Sequence, residues 1–210
     1  MSEYLLYIEN GKNYLVDTGS PFSIHYGSSQ MGNTIGKLYP GMLEELTENL
    51  KIEVTGLIGT DQLMMARWHF NPENSKLSRL SDEFDLSGYK AYLLGQHLTL
   101  PVIEVKANGE SHKLIIDTCS TLNYLKGNLL SGEMVSTVED YHPMLGNFTT
   151  HGHTYSLEAF EKKSEVLFYD IPQMMEMTLG SQIQGILGCG FMSSFEWVID
   201  LDKHTWWMKI

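Results

Sequence analysis

Two copies of one six-residue stretch constrain this chain more than anything else in it: Leu15-Val16-Asp17-Thr18-Gly19-Ser20 and, 100 residues on, Ile115-Ile116-Asp117-Thr118-Cys119-Ser120. Each copy closes a short apolar run preceded by Asn-Gly, Asn10-Gly11 in the first and Asn108-Gly109 in the second. Asn-Gly suits a two-residue turn in which both positions take φ > 0, so each copy reads as a β-hairpin, 4–9 with 13–16 and 102–107 with 113–116. Each Asp is thereby placed at the end of an inner strand, where the chain leaves the sheet in a tight loop.

The rest of the chain follows the same doubled plan. A polar, Gly-rich loop runs over 19–36, and 40–50 puts Met42, Leu43, Leu46 and Leu50 at helical spacing behind acids in the first turn, which predicts a short packing helix. Leu57-Ile58, bounded by Gly56 and Gly59, reads as a buried strand approached closely by other backbone. One helical turn over 61–66 and a second hairpin, 68–70 with 76–80, complete the half. Gly185-Ile186-Leu187-Gly188 then corresponds to Gly56-Leu57-Ile58-Gly59, and Trp197 to Trp68, at an offset of 129 residues, with a closing hairpin over 197–201 and 205–210. The polar, acidic stretch 81–87 divides the chain into 1–88 and 89–210, two halves predicted to share an interface.

The charge balance narrows the partners. Fourteen Lys and Arg stand against 26 Asp and Glu, a net charge of −12 with no basic cluster, which disfavours nucleic acid. No apolar run approaches the ~18–20 residues needed to span a bilayer, so no membrane association is expected. The amino terminus has no basic region ahead of an apolar core, and with only two cysteines the chain is expected to be a soluble cytoplasmic protein with free thiols.

An apolar pair followed by Asp-Thr-Gly-Ser, then an apolar-apolar-Gly strand (Leu57-Ile58-Gly59), with the whole pattern repeated, resembles the aspartic proteases, both the two-lobed pepsin-like enzymes and the shorter retroviral ones. The likeness covers nearly the whole chain at the level of motif order. It implies an all-β, two-lobed acid-protease-like β-barrel fold with pseudo-two-fold symmetry and few short helices, a fused counterpart of the retroviral dimer. It also implies an aspartic endopeptidase acting on a peptide or protein substrate, as a monomer, with neither cofactor nor metal. Asp17 and Asp117 would be the catalytic pair, sharing one proton as aspartic proteases do and holding one water between them. Thr18 and Thr118 would hydrogen-bond across the interface, and Ser20 and Ser120 would donate to the outer carboxylate oxygens. Gly19 and Cys119 would complete the two loops.

Two departures qualify the expectation. Cys119 stands in the second copy where the first has Gly19; a position that demands φ > 0 makes a side chain costly and tilts Asp117. This opens an alternative, a peptide-binding module on the same fold with weakened catalysis. A further rival is a small-molecule-binding β protein whose repeat is purely architectural, with its carboxyls far apart. The halves are also unequal: 39 residues separate Asp17 from Gly56 and 68 separate Asp117 from Gly185. The surplus predicts a single covering flap from the second half, over 147–157, with its turn at Gly152 between His151 and His153. Those histidines have His-x-His metal-ligand spacing but no third ligand nearby in the sequence, and are expected to be exposed turn residues contacting substrate.

Overall fold

A computed structural model describes residues 5–25, 41–73, 76–143 and 145–209. Most of the Gly-rich loop expected over 19–36 lies outside these residues. Along the chain come β1 (Leu6–Glu9), β2 (Lys12–Val16), β3 (Ile24–His25), α1 (Met42–Leu50), β4 (Gly56–Ile58), α2 (Thr60–Leu63), β5 (Arg67–Asn71), β6 (Lys76–Arg79), β7 (Tyr89–Leu93), β8 (Gly95–His97), β9 (Leu100–Ala107) and β10 (Glu110–Asp117). They continue with β11 (Asn123–Leu125), a 3₁₀ turn (Gly127–Leu129), β12 (Met134–His142), β13 (Gly146–Ala159), β14 (Lys162–Asp170), α3 (Gln173–Leu179), β15 (Gly185–Gly188), α4 (Cys189–Met192), β16 (Trp197–Asp200) and β17 (Thr205–Lys209). The described residues are mostly β, with their strands in three sheets of four, eight and five. Among the described residues no helix is long and apolar enough to cross a membrane.

Both Asn-Gly turns form as their chemistry requires. Asn10 and Gly11 have φ of 51° and 73°, Asn108 and Gly109 of 51° and 87°, the left-handed pair that lets antiparallel strands join through two residues. The inner strand of each hairpin then pairs in parallel with a glycine-bounded strand: Leu15 lies opposite Leu57 in β2–β4, and Ile115 opposite Ile186 in β10–β15. A third strand closes each arrangement from the other side, with Ile24 opposite Leu57 and Tyr124 opposite Ile186. One pairing scheme thus occurs twice, at offsets of 100 and 129 residues.

The glycines that end these strands are required by space. Gly59 and Gly188 have φ of −91° and −89°, open to any residue. A Cβ on Gly59 would sit 2.5 Å from the Phe22 carbonyl, and one on Gly188 would sit 2.2 Å from the Leu122 carbonyl oxygen. The short helices that follow carry the same internal brace, Trp68 Nε1 donating to Leu63 O at 3.1 Å and Trp197 Nε1 to Met192 O at 3.2 Å. The helix expected over 40–50 is α1. It buries Leu43 and Leu46 against Leu15 and Val54 and exposes Glu44 and Glu48, while Pro40 lies outside the described residues.

The two halves meet in the five-stranded sheet, ordered β6-β5-β16-β17-β7, where Phe70 lies opposite Trp197 and Trp68 opposite Ile199. Trp197 and Trp206, both buried, pack with ring centroids 4.5 Å apart at its centre. Glu196 ties the sheet together at its rim, accepting from His69 Nε2 at 3.0 Å, from Lys209 Nζ at 2.7 Å and from the Tyr89 hydroxyl. Burial pushes this carboxyl up, but the hydrogen bonds from Lys209, Tyr89 and His69 outweigh it and hold it down to about 2. A depressed native pKa stabilises the fold above the unfolded value of 4.5 and loses that contribution as pH falls toward about 2. Glu196→Gln is therefore expected to lower stability by about 1–2 kcal/mol near neutral pH and by almost nothing at the acid end, read from urea titrations at several pH values.

The surplus residues of the second half form an antiparallel meander, β12–β13–β14, joined to β11 through β14 and to β9 through β13. Here the expected flap is corrected. The span 147–157 is part of one continuous strand, and the turn lies earlier, between His142 and Gly146. Gly152 sits mid-strand, opposite Ser136 on one side and Tyr169 on the other. A Cβ there would meet the Tyr169 ring at 2.8 Å, so this glycine marks an aromatic ring lying over the strand. His151 and His153 are accordingly strand residues, not turn residues.

Candidate active site

The parallel pairing of β2 with β4 and of β10 with β15 delivers both Asp loops to one place. Asp17 N donates to Ile58 O at 2.9 Å, and Asp117 stands opposite Gly188 in the β10–β15 register. The following threonines are buried and lock the two loops to each other. Thr18 N donates to Thr118 Oγ1 at 3.0 Å and Thr118 N to Thr18 Oγ1 at 3.1 Å. Each hydroxyl also donates across the junction, Thr18 Oγ1 to Ile116 O at 2.7 Å and Thr118 Oγ1 to Val16 O at 2.5 Å. Four hydrogen bonds between segments 100 residues apart leave the loops little freedom to separate.

This lock brings the Asp17 and Asp117 carboxyls within hydrogen-bonding reach of each other. Each carboxyl is met by the amides of its own loop: Asp117 Oδ1 accepts Cys119 N at 2.8 Å and Ser120 N at 3.0 Å, and Asp17 Oδ1 accepts Gly19 N at 2.9 Å with the Ser20 amide also bearing on it. Burial, and then the charge of Asp117, push the Asp17 carboxyl well above the usual carboxylate range. Burial also raises Asp117, but the Cys119 and Ser120 amides and the hydrogen bond from Asp17 work against it. Both carboxyls are raised by burial and act on each other, so they titrate as one pair that holds a proton above the usual carboxylate range.

The remaining loop residues divide between support and correction. Gly19 lies so close to the pair that a Cβ would sit 2.4 Å from Asp117 Oδ2. Ser20 and Ser120 do not donate to the carboxylates. Their hydroxyls turn back to Phe22 O and Leu122 O, each at 2.8 Å, closing a local serine turn, while Ser20 O and Ser120 O accept from Thr60 N and Cys189 N. The serine contacts to the carboxyls are instead backbone ones, Ser120 N donating to Asp117 Oδ1 at 3.0 Å and the Ser20 amide bearing on Asp17. Ser23 and Asn123, a further pair 100 residues apart, hold the ends of the glycine-bounded strands, Ser23 Oγ accepting Gly59 N at 2.9 Å and Asn123 Oδ1 accepting Gly188 N at 3.0 Å. Their matching positions were legible in the sequence, but Ser and Asn are too common in loops to stand out.

Cys119 does not occupy a left-handed conformation, and neither does Gly19, so the substitution carries no backbone strain. Its Sγ is 3.5 Å from Val16 O, and its side chain packs against the Leu15–Leu43–Leu46–Val54 cluster. Both cysteines are free. Burial, then the carboxylates of Asp17 and Asp117 and the nearby Cys189, push the Cys119 thiol well up, and burial followed by Asp117 pushes Cys189 up to about 12. Thiolate is the reactive form, so native protein is expected to resist alkylation by iodoacetamide near neutral pH and to take up two equivalents once unfolded, counted by intact mass.

Of the flap candidates, His151 pairs with Asp170, its Nδ1 3.3 Å from Oδ1 and its backbone N–H on the same oxygen. His153 Nδ1 lies 3.3 Å from Gly132 O, and Gly152 packs under Tyr169. At the end of β12, Tyr141 packs against the Leu15–Leu43–Leu46–Val54 cluster and donates its hydroxyl to Glu45 Oε2 of α1 at 3.0 Å. No protein-family model matches the chain, and no curated protein matches it.

Proposed function

We propose that this protein is an aspartic endopeptidase built as a two-lobed, acid-protease-like fold, with lobes over 1–88 and 89–210 related by approximate two-fold symmetry. The observation that carries the reading is the reciprocal Thr18–Thr118 lock, which holds a buried carboxyl pair at the junction of two identically paired strand sets. In the mechanism this arrangement supports, Asp117 takes a proton from a water as its oxygen attacks the peptide carbonyl. Asp17 gives its proton to the carbonyl oxygen, and the resulting tetrahedral intermediate collapses as Asp117 returns a proton to the leaving amine. Asp17 takes back the proton of one hydroxyl of the intermediate as the acid forms, so the pair ends in its starting state with no covalent intermediate. The β12–β13 hairpin, reaching from the second half to α1 through Tyr141 and Glu45, is the single flap of this reading.

Cys119 favours a second reading, a peptide-binding module, because it puts a side chain near Asp17 at the position where, in the first loop, Gly19 has no room for a Cβ against Asp117. A statine-type peptide, whose hydroxyl mimics the tetrahedral intermediate, separates the two. The endopeptidase reading expects one tight site per chain and competitive inhibition of peptide cleavage, both lost in Asp17→Asn. Binding of ordinary peptides with no turnover from acid to neutral pH selects the module, and no binding of either ligand sinks both.

A further inference from the structure

The outer part of the β12–β13 hairpin stands clear of the rest of its sheet. β13 pairs with β14 from Gly152 to Ala159, so among the described residues 146–151 pair with β12 alone, and β12 is itself the outermost strand of the eight. A two-stranded ribbon of this kind is marginal in water by itself, so its position is decided by what its side chains hold.

Two neighbouring side chains at the end of β12 hold opposite partners. Successive residues of a strand point to opposite faces, and Asp140 and Tyr141 divide accordingly. Asp140 turns back to the second half, its Oδ2 accepting the hydroxyl of Tyr124, a β11 residue that is 2% exposed. Tyr141 turns to the first half. Its ring packs on the Leu15–Leu43–Leu46–Val54 cluster, and its hydroxyl donates to Glu45 Oε2 of α1 at 3.0 Å, a contact between residues 96 apart in sequence. Cys119, two residues past Asp117, packs on that same cluster, and Leu15 lies two residues before Asp17. The ribbon therefore lands on the first half at the cluster that also receives the second Asp loop. Burial, and then the hydrogen bond to Glu45, push the Tyr141 hydroxyl up to about 12, so it remains a donor at neutral pH.

We infer that Glu45 is a positioning residue of the site: from α1 it latches the end of the second half's ribbon through Tyr141 and sets how often that ribbon lifts off the first half. This deepens the endopeptidase reading, in which the ribbon is the flap; it rests on that reading for its effect on turnover, though not for its effect on the ribbon. Without the hydroxyl the Tyr141 ring still packs, so the ribbon stays formed but opens more often. Tyr141→Phe is expected to raise KM for peptides about 5-fold with kcat nearly unchanged, since the Asp loops keep every hydrogen bond. Glu45→Ala is expected to give the same loss, and Glu45→Gln, which keeps an acceptor for the phenol, to restore most of it. The double variant Tyr141→Phe, Glu45→Ala should be no worse than either single change, because both remove one contact.

The direct readout is hydrogen exchange of the backbone amides of 137–142 and 146–151 in the unliganded protein, which needs no turnover. Exchange there about 5-fold faster in Tyr141→Phe and in Glu45→Ala, with β16 and β17 unchanged, supports the inference. It does so even if no peptide is ever cleaved, in which case the endopeptidase reading alone fails. Ribbon exchange that does not move, or that speeds equally in β16 and β17, overturns the inference and leaves the endopeptidase reading standing. Glu45 is exposed on α1, so Glu45→Ala carries the test should Tyr141→Phe fail to fold.

Discussion

Asp117→Asn is expected to lower peptide cleavage by about 10³- to 10⁴-fold under the proposed reading, because it removes the base that takes the proton from water. The same change is expected to raise stability. Burial and its partner push the Asp17 carboxyl up, and burial pushes Asp117 up. A carboxyl whose native pKa is raised favours the fold below its unfolded value and loses that contribution as pH climbs through the native one. At neutral pH the pair is therefore a burden, and Asn at 117, still able to accept the Cys119 and Ser120 amides, relieves it by about 1–2 kcal/mol. Activity and urea midpoint moving in opposite directions is a signature that a merely structural Asp would not give. An Asp117→Asn protein that is inactive because it is unstable would contradict this account of the site.

Thr18→Val is expected to cost the most stability for the fewest atoms changed. The shape is kept, but Ile116 O loses its donor and Thr118 N its acceptor, both in a fully buried junction. Leaving two such groups unpaired costs about 2–5 kcal/mol in all. Cleavage should fall as well, by on the order of 10²-fold, since the two carboxyls are held together by this lock. Thr18→Ser retains both hydrogen bonds and should stay within about 1 kcal/mol of wild type. Because Thr18 and Thr118 meet in one network, the double Val variant should lose less than the two single losses added, a coupling measurable in urea.

What could be read in advance was whatever rests on local chemistry or on the repeat. Asn10-Gly11 and Asn108-Gly109 dictate their turns through φ alone, and the spacing of Asp17 from Gly56–Gly59 matches that of its copy apart from the inserted meander. The largely β character followed from these runs, while the meeting of Asp17 with Asp117 and of Thr18 with Thr118 was implied by the resemblance. Legibility failed where a residue answers to a distant neighbour. Gly152 has the composition of a turn, yet the ring of Tyr169, seventeen residues on, is what demands its missing side chain. Ser20 and Ser120 were assigned to the carboxylates by resemblance, whereas a shorter path to Phe22 O and Leu122 O satisfies their hydroxyls first. Cys119, read as a possible source of strain, proves compatible with its backbone, since neither copy of the loop needs φ > 0 at that position.

The central claim is that Asp17 and Asp117 work as one acid–base pair on a peptide bond. Digestion of a proteome-derived peptide library in heavy-oxygen water, with wild type beside Asp117→Asn from acid to neutral pH, addresses it directly. The account predicts new carboxyl termini that each carry one heavy oxygen, internal cleavage sites, and loss of both in the variant. Wild-type protein that cleaves nothing at any pH, or a variant that cleaves as well as wild type, would contradict it.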